Sequence, residues 1–295
     1  MPPNGLHENT PPARHIETLA AELSLAPSRI EAAAALLGEG ASVPFIARYR
    51  KEATGSLDEV AITAIRDRLA QLAELDGRRA AILKSLEQNG HLNEDLEAGI
   101  AAASTLAELE DLYLPYRPKR RTRAAVAREK GLAPLAEALL AQTGIDPQSA
   151  AAAFVDAEKE VPDIETALAG ARDIVAETVN EDAAARSRMR AYFSDRALLR
   201  TTVIDDKEVE GAKFKDYFDW NEPAATAPSH RILAMRRGEK EGVLNLRLTP
   251  PEDGAISLLM ALFVHTDAED GRQAALAVED GYRRLMSRTM ETELR

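Results

Sequence analysis

From residue 57 to residue 88, apolar side chains fall at Leu57, Val60, Ala64, Leu69, Leu72, Ala73, Ile82, Leu83 and Leu86. The spacing is close to 3.6 residues, the period of a helix that buries one face. One helix over this run is about 48 Å long at ~1.5 Å per residue, with Gly77 as the point where it breaks or bends. A face of that length has to be covered, and the rest of the chain offers helices to cover it. Ser28 with Glu31, Ser56 with Glu59 and Thr105 with Glu108 have the spacing of capping boxes, and Gly38 or Gly40 can end the first of these helices. "NGHLNEDL" predicts a turn and a new helix start. Pro134 and Gly144 bracket a short helix over 132–142, and further helices are predicted at 148–156, 163–177, 182–200 and 270–295. The last meets no stop signal, so the polypeptide is expected to continue beyond Arg295. One stretch alternates as a strand does, 243–248. Its best pairing partner is "LLRTTVID", 198–205, for its β-branched Thr201, Thr202, Val203 and Ile204.

Hydrophobic residues make up 45% of the 295 but aromatics only 4%, so much of the apolar count is Ala. Ala is the best helix former and permits close backbone approach. The expected fold is therefore mainly α: a multi-helix bundle with helix-turn-helix-like elements, a long C-terminal helix and at most a small β element near 198–250. The expected division is a disordered lead-in over 1–13, a helical domain over 14–200, and a mixed segment over 201–295. That last segment carries the short strand and the start of a long linking helix. The chain has no Cys, which leaves no disulfide or thiolate metal site and fits a reducing compartment. No apolar run approaches the ~18 residues of a membrane span, and the N-terminus lacks a signal-peptide pattern. Cytoplasmic residence, no membrane contact and no cofactor are the expectations.

The formal charge is −12, unlike that of a dedicated nucleic-acid-binding domain, so any such role has to come from a local patch or another part of the protein. The charge is not evenly spread. Residues 87–111 hold seven acids and no Lys or Arg. Then 116–130 holds Arg117, Lys119, Arg120, Arg121, Arg123, Arg128 and Lys130 against Glu129 alone. Thr122 can cap a helix that runs to Lys130, and the step over Gly131 to the Pro134 helix gives a helix-turn-helix outline. Read functionally, this is a phosphate-contacting patch. Six neutralised phosphates would give a slope of about −5 in log affinity against log salt. Read structurally, the bases pair with the acids just before them, in surface ion pairs worth about 0–1 kcal/mol each.

Signals for catalysis are absent. None of the five His lies four residues from another, and there is no Walker loop, G-x-G-x-x-G or G-x-S-x-G. "GIDP" resembles an acidic nuclease motif but follows a helix, so Asp146 reads as a helix cap with Pro147 in the first turn, and His230 as a helix-start residue. The chain is not expected to be an enzyme.

"VPFIARYRKEATGSLDE", "LAELEDLYLPYRPKRRTRAAVAREKGLAPLA" and "SHRILAMRRGEKEGVL", in that order across residues 43–244, resemble the N-terminal region of the Tex family of bacterial transcription accessory proteins. The resemblance implies a cytoplasmic, nucleic-acid-binding transcription factor related to a eukaryotic elongation factor and histone chaperone. It also implies further domains outside this sequence: an RNase H-like domain, helix-hairpin-helix modules and an OB-fold that binds RNA. The chain is thus expected to be the helical scaffold segment of such a protein. Its partners are RNA or DNA, chiefly through the missing domains, with the transcription machinery as a further expected partner. Weak, non-specific binding is expected of the segment alone. Two alternatives are a self-contained helix-turn-helix DNA-binding module and a metal-dependent nuclease. "LAPLAEALLAQ" offers no base-reading side chains for the first, and the second would have to draw its carboxylates from 87–111.

The first of these blocks reads as a helix capped by Ser42 and ended by Gly55, with Ser56 starting the next and Glu52 pairing with Arg48. Phe45 and Tyr49, four apart, are expected to fill the core with Ile46. The other reading makes the stretch an exposed binding surface carrying Arg48, Arg50 and Lys51.

Overall fold

The structure is a computed structural model that describes residues 11–118 and 121–295; Lys119, Arg120 and most of the expected lead-in lie outside the described residues. The chain packs as two compact units, one running to Leu109 and the other from Glu110 to Arg295.

The first unit contains helices α1 (Ala13–Leu23), α2 (Pro27–Gly38), α3 (Val43–Tyr49), α4 (Lys51–Thr54), α5 (Glu59–Gln88) and α6 (Glu94–Ala102), and the start of α7 (Leu106–Tyr113). The single long helix is present, but its buried face is not the stripe counted above: Ile62, Ile65, Leu72, Leu75, Ile82 and Leu86 face inward, while Val60 is left exposed. Ile62, Ile65 and Leu72 share one core with Leu19 of α1, Ile30 of α2 and Ile46 of α3, and the helix runs unbroken through Gly77. It begins two residues later than the capping-box reading, at Glu59. Ser56 has φ 63° and follows Gly55 at φ 62°, whereas an N-cap needs an extended backbone. Asp58 takes the role instead, accepting from Ala61 N at 2.8 Å. Arg29 braces this left-handed turn, its Nε donating to the Thr54 carbonyl at 3.2 Å and its Nη2 to Gly55 at 2.7 Å.

The second unit holds α8 (Arg123–Glu129), α9 (Ala133–Ala141), α10 (Pro147–Ala152), α11 (Ile164–Glu181), α12 (Ala183–Arg196), α13 (Ser229–Lys240), α14 (Glu252–Phe263), α15 (Glu269–Gly281) and α16 (Ser287–Leu294). Helix α11 is its axis, buried through Ala167, Leu168, Ala171, Val175, Ala176 and Val179, with α8, α9, α10 and α15 packed on it. A Cβ on Gly281 of α15 would stand 3.0 Å from the Ala176 carbonyl, so the two helices approach as closely as small residues allow. Asp146 caps α10 through Ser149 N, with Pro147 in the first turn, and His230 lies in the first turn of α13.

The expected C-terminal helix is present but interrupted: a π-helical turn at Tyr282–Met286 separates α15 from α16. The β element is a three-stranded antiparallel sheet, β1 (Leu198–Val203), β2 (Asp219–Pro223) and β3 (Leu244–Thr249), in the order β2-β1-β3. The pairing of β1 with β3, Thr201 opposite Leu246, is the one expected; β2 was not. "DWNEP" has no apolar alternation to reveal it and is held by its ladder with β1. The outer edge of β3 is closed by α16, where Glu291 accepts from Leu248 N at 2.9 Å and Arg295 donates to the Leu246 carbonyl. Covering an edge in this way leaves no free row of backbone groups there for another strand.

Candidate nucleic-acid interface

In the first unit the candidate residues lie where α3 meets α4. Val43, Ile46 and Ala47 face the core, so a seven-residue helix leaves its remaining positions outward. Phe45 is 40% exposed and Tyr49 66% exposed, which overturns their expected place in the core. The inward row of α3 is Val43, Ile46 and Ala47, spaced i, i+3 and i+4 on one face, and Phe45 and Tyr49 lie on the far side of the helix from its centre. Arg50 leaves helical geometry at φ −125°, ψ 28°. The break turns Arg50 back so that its guanidinium carbon lies 5.3 Å from the Phe45 ring centre, within the range of a cation–π contact. The Phe45 and Tyr49 rings are 5.5 Å apart and tilted by 44°. Arg48, Arg50 and Lys51 are all exposed. The expected Arg48–Glu52 ion pair is not among those formed by the described residues.

In the second unit the basic segment is divided by its surroundings. Thr122 caps α8, accepting from Ala125 N at 3.0 Å. Its hydroxyl also donates at 3.0 Å to Glu177, a buried acid on α11 that takes Arg128 as its ion-pair partner. Lys130 pairs with Glu160 at 3.3 Å and Arg121 with Glu129 at 3.1 Å. These partners come from α8 itself, α11 and the loop between α10 and α11, so for these bases pairing with the 87–111 acids is corrected. Asp111, the last of those acids, is buried and bound to Arg186 at 2.5 Å and Arg190 at 2.9 Å instead. Arg117, Arg121 and Arg123 remain exposed. Burial pushes the Asp173 carboxyl above the usual range despite the nearby Arg284 and Arg123. The bases are thus sorted into two that tie α8 down and three that face solvent. Helix α9, the recognition helix of a helix-turn-helix reading, buries Leu135, Ala136 and Leu139 in the core of the unit.

Family models match two stretches of the chain. One described as Tex-like protein N-terminal domain matches residues 13–87, and one described as Tex central region-like matches residues 142–292. The chain belongs to the Tex family. It is 52% identical over 230 residues to Protein YhgF of Escherichia coli, covering 78% of this chain and 30% of that protein. It is 48% identical over 252 residues to Protein tex of Bordetella pertussis, covering 84% and 32%. A human protein, S1 RNA-binding domain-containing protein 1, is 26% identical over 223 residues, covering 72% and 22%. The chain therefore spans about a third or less of the length of these three relatives.

Sequence patterns did not reveal a cavity of about 240 Å³ in the first unit, lined among others by Arg14, His15, Glu22, Arg68, Asp76 and Arg79. Burial pushes the Asp76 carboxyl up, yet hydrogen bonds from His15 and Arg14 outweigh it and hold the group below its usual range. No group of three or more His, Asp or Glu among the described residues is placed to hold a metal. No helix among them is long and apolar enough to cross a membrane.

Proposed function

We propose that this chain is a helical scaffold of a cytoplasmic transcription accessory protein. The full-length protein binds RNA or DNA chiefly through other domains and acts with the transcription machinery. Membership of the Tex family across two separate stretches of the chain carries the reading. It is supported by a relative whose name includes an S1 RNA-binding domain. The chain's own contribution is weak and independent of sequence, through Arg117, Arg121 and Arg123, with Lys119 and Arg120 beside them in sequence, and through Arg48, Arg50 and Lys51. A net charge of −12 repels nucleic acid at long range, but beyond about 8 Å it is screened at physiological salt and local cations can act. Base reading by α9 finds no support, since its buried Leu135, Ala136 and Leu139 hold it in the core.

Fluorescence anisotropy with labelled RNA and duplex DNA across a salt series tests this. The expected dissociation constant is about 10⁻⁴ M or weaker at physiological salt, tightening as salt falls. Three contacts by the exposed arginines of 117–123 correspond to a log–log slope of about −2 to −3. Arg120→Glu with Arg121→Glu should weaken binding strongly. Sub-micromolar affinity at physiological salt, or preference for one sequence, would contradict the scaffold role.

A further inference from the structure

Several other cations of the first unit are used internally: Arg14, Arg66, Arg68 and Arg79 each pair with a carboxylate, and Arg29 is spent on the 54–56 turn. Arg48, Arg50 and Lys51 form no ion pair among the described residues; they adjoin the two exposed aromatic rings of α3 in sequence, and Arg50 lies over the Phe45 ring. The last turn of a helix favours a cation such as Arg48, but that does not account for a Tyr left 66% exposed beside it. Apolar surface kept in water next to unspent positive charge matches a ligand with flat apolar rings and regularly spaced negative charge.

We propose that Phe45 and Tyr49, with Arg48, Arg50 and Lys51, form a stacking platform for single-stranded nucleic acid. The platform rests on the nucleic-acid reading above and adds selection of single strands over duplex. Tyr49 supplies the stacking face. Arg50 lies over the Phe45 ring, and at 5.5 Å with a 44° tilt the two rings are too close for a base to enter between them. A base can therefore stack on the outer face of Tyr49 while Phe45 and Arg50 hold that ring in place. Arg48 and Lys51 then reach the flanking phosphates. In a duplex both faces of every base are already stacked, so only the cations would engage. Stacking on an aromatic ring tolerates any base, in keeping with sequence-independent binding.

The test is anisotropy of the whole 295-residue chain at low salt, with a labelled single strand and a duplex of equal length, in parallel for three variants. Tyr49→Ala should weaken single-strand binding by about tenfold and leave duplex binding unchanged, while Tyr49→Phe, which keeps the ring, should bind as wild type. Arg48→Glu with Lys51→Glu should weaken both ligands. Circular dichroism checks that each variant folds, as expected for exposed positions. If the charge variant weakens both ligands but Tyr49→Ala weakens neither, or both equally, the platform is refuted and the charge reading survives. If none of these variants nor Arg120→Glu with Arg121→Glu changes binding, the nucleic-acid reading of both patches fails as well.

Discussion

Replacing Arg186 by Met should destabilise the second unit by about 2–3 kcal/mol. The side chain is 4% exposed; its Nε meets Asp111 Oδ1 at 2.5 Å and its Nη2 meets Glu293 Oε1 at 2.5 Å. Met fills most of the stem's volume, so the loss is chiefly electrostatic. Glu293 is 31% exposed and can recover water, but Asp111 is 5% exposed and cannot. Orphaning a buried charge entirely costs about 3–5 kcal/mol. Asp111 keeps Arg190, whose Nη2 stands 2.9 Å from Oδ2 and 3.2 Å from Oδ1, which reduces the figure to the lower range. Adding Asp111→Asn should cost less than the sum of the two single changes, with a coupling of about 1–3 kcal/mol, because the second change removes the charge the first has exposed. Urea unfolding followed by tryptophan fluorescence suits the question, since Trp220 is the only Trp of the chain and belongs to the second unit. A shift below about 1 kcal/mol, or strict additivity in the double variant, would show that the network is hydrated and that the burial argument is wrong.

Phe45→Ala should cost less than about 1.5 kcal/mol, because a ring 40% exposed forfeits only part of the transfer energy of a full side chain; urea unfolding by circular dichroism yielding about 3–5 kcal/mol would place the ring in the core after all. Asp76→Asn should destabilise the first unit by about 1 kcal/mol at neutral pH, a charged hydrogen bond discounted for partial exposure. The Asp76 carboxyl is depressed in the folded state, so its contribution is complete above the unfolded value of about 3.9 and is lost as pH falls through the lower folded value. Melting curves of the two proteins should therefore differ at pH 7 and converge in strong acid; a constant difference at every pH would refute the assignment.

Where a side chain's position follows from its neighbours in sequence, the sequence was enough. The helical period over 57–88 pointed to one long helix, and α5 is that helix, without a break at Gly77; which residues form its buried face, Ile62 and Ile65 among them and Val60 not, was settled by packing. Thr122, Asp146 and Pro147 act within one turn of themselves, and they cap as their types require. The β-branched run at 198–205 and the alternation at 243–248 found each other as β1 and β3. The family, too, was legible, in motifs long enough to be specific.

Long-range packing decided what remained. Ser56 lost the cap to Asp58 because Arg29, 27 residues away in sequence, holds the turn left-handed. Strand β2 exists through its ladder with β1 and carries no local pattern of its own. Seven positively charged residues in a row of fifteen look alike in sequence, yet buried Glu177 claims Arg128 and Glu160 claims Lys130, while Arg117, Arg121 and Arg123 stay in water. Phe45 and Tyr49 have core-forming side chains at core-forming spacing, but the inward row of α3 is Val43, Ile46 and Ala47. Period and capping are set within one helical turn of sequence; exposure and ion-pair choice depend on which distant surface arrives, and that is fixed only when the helices pack.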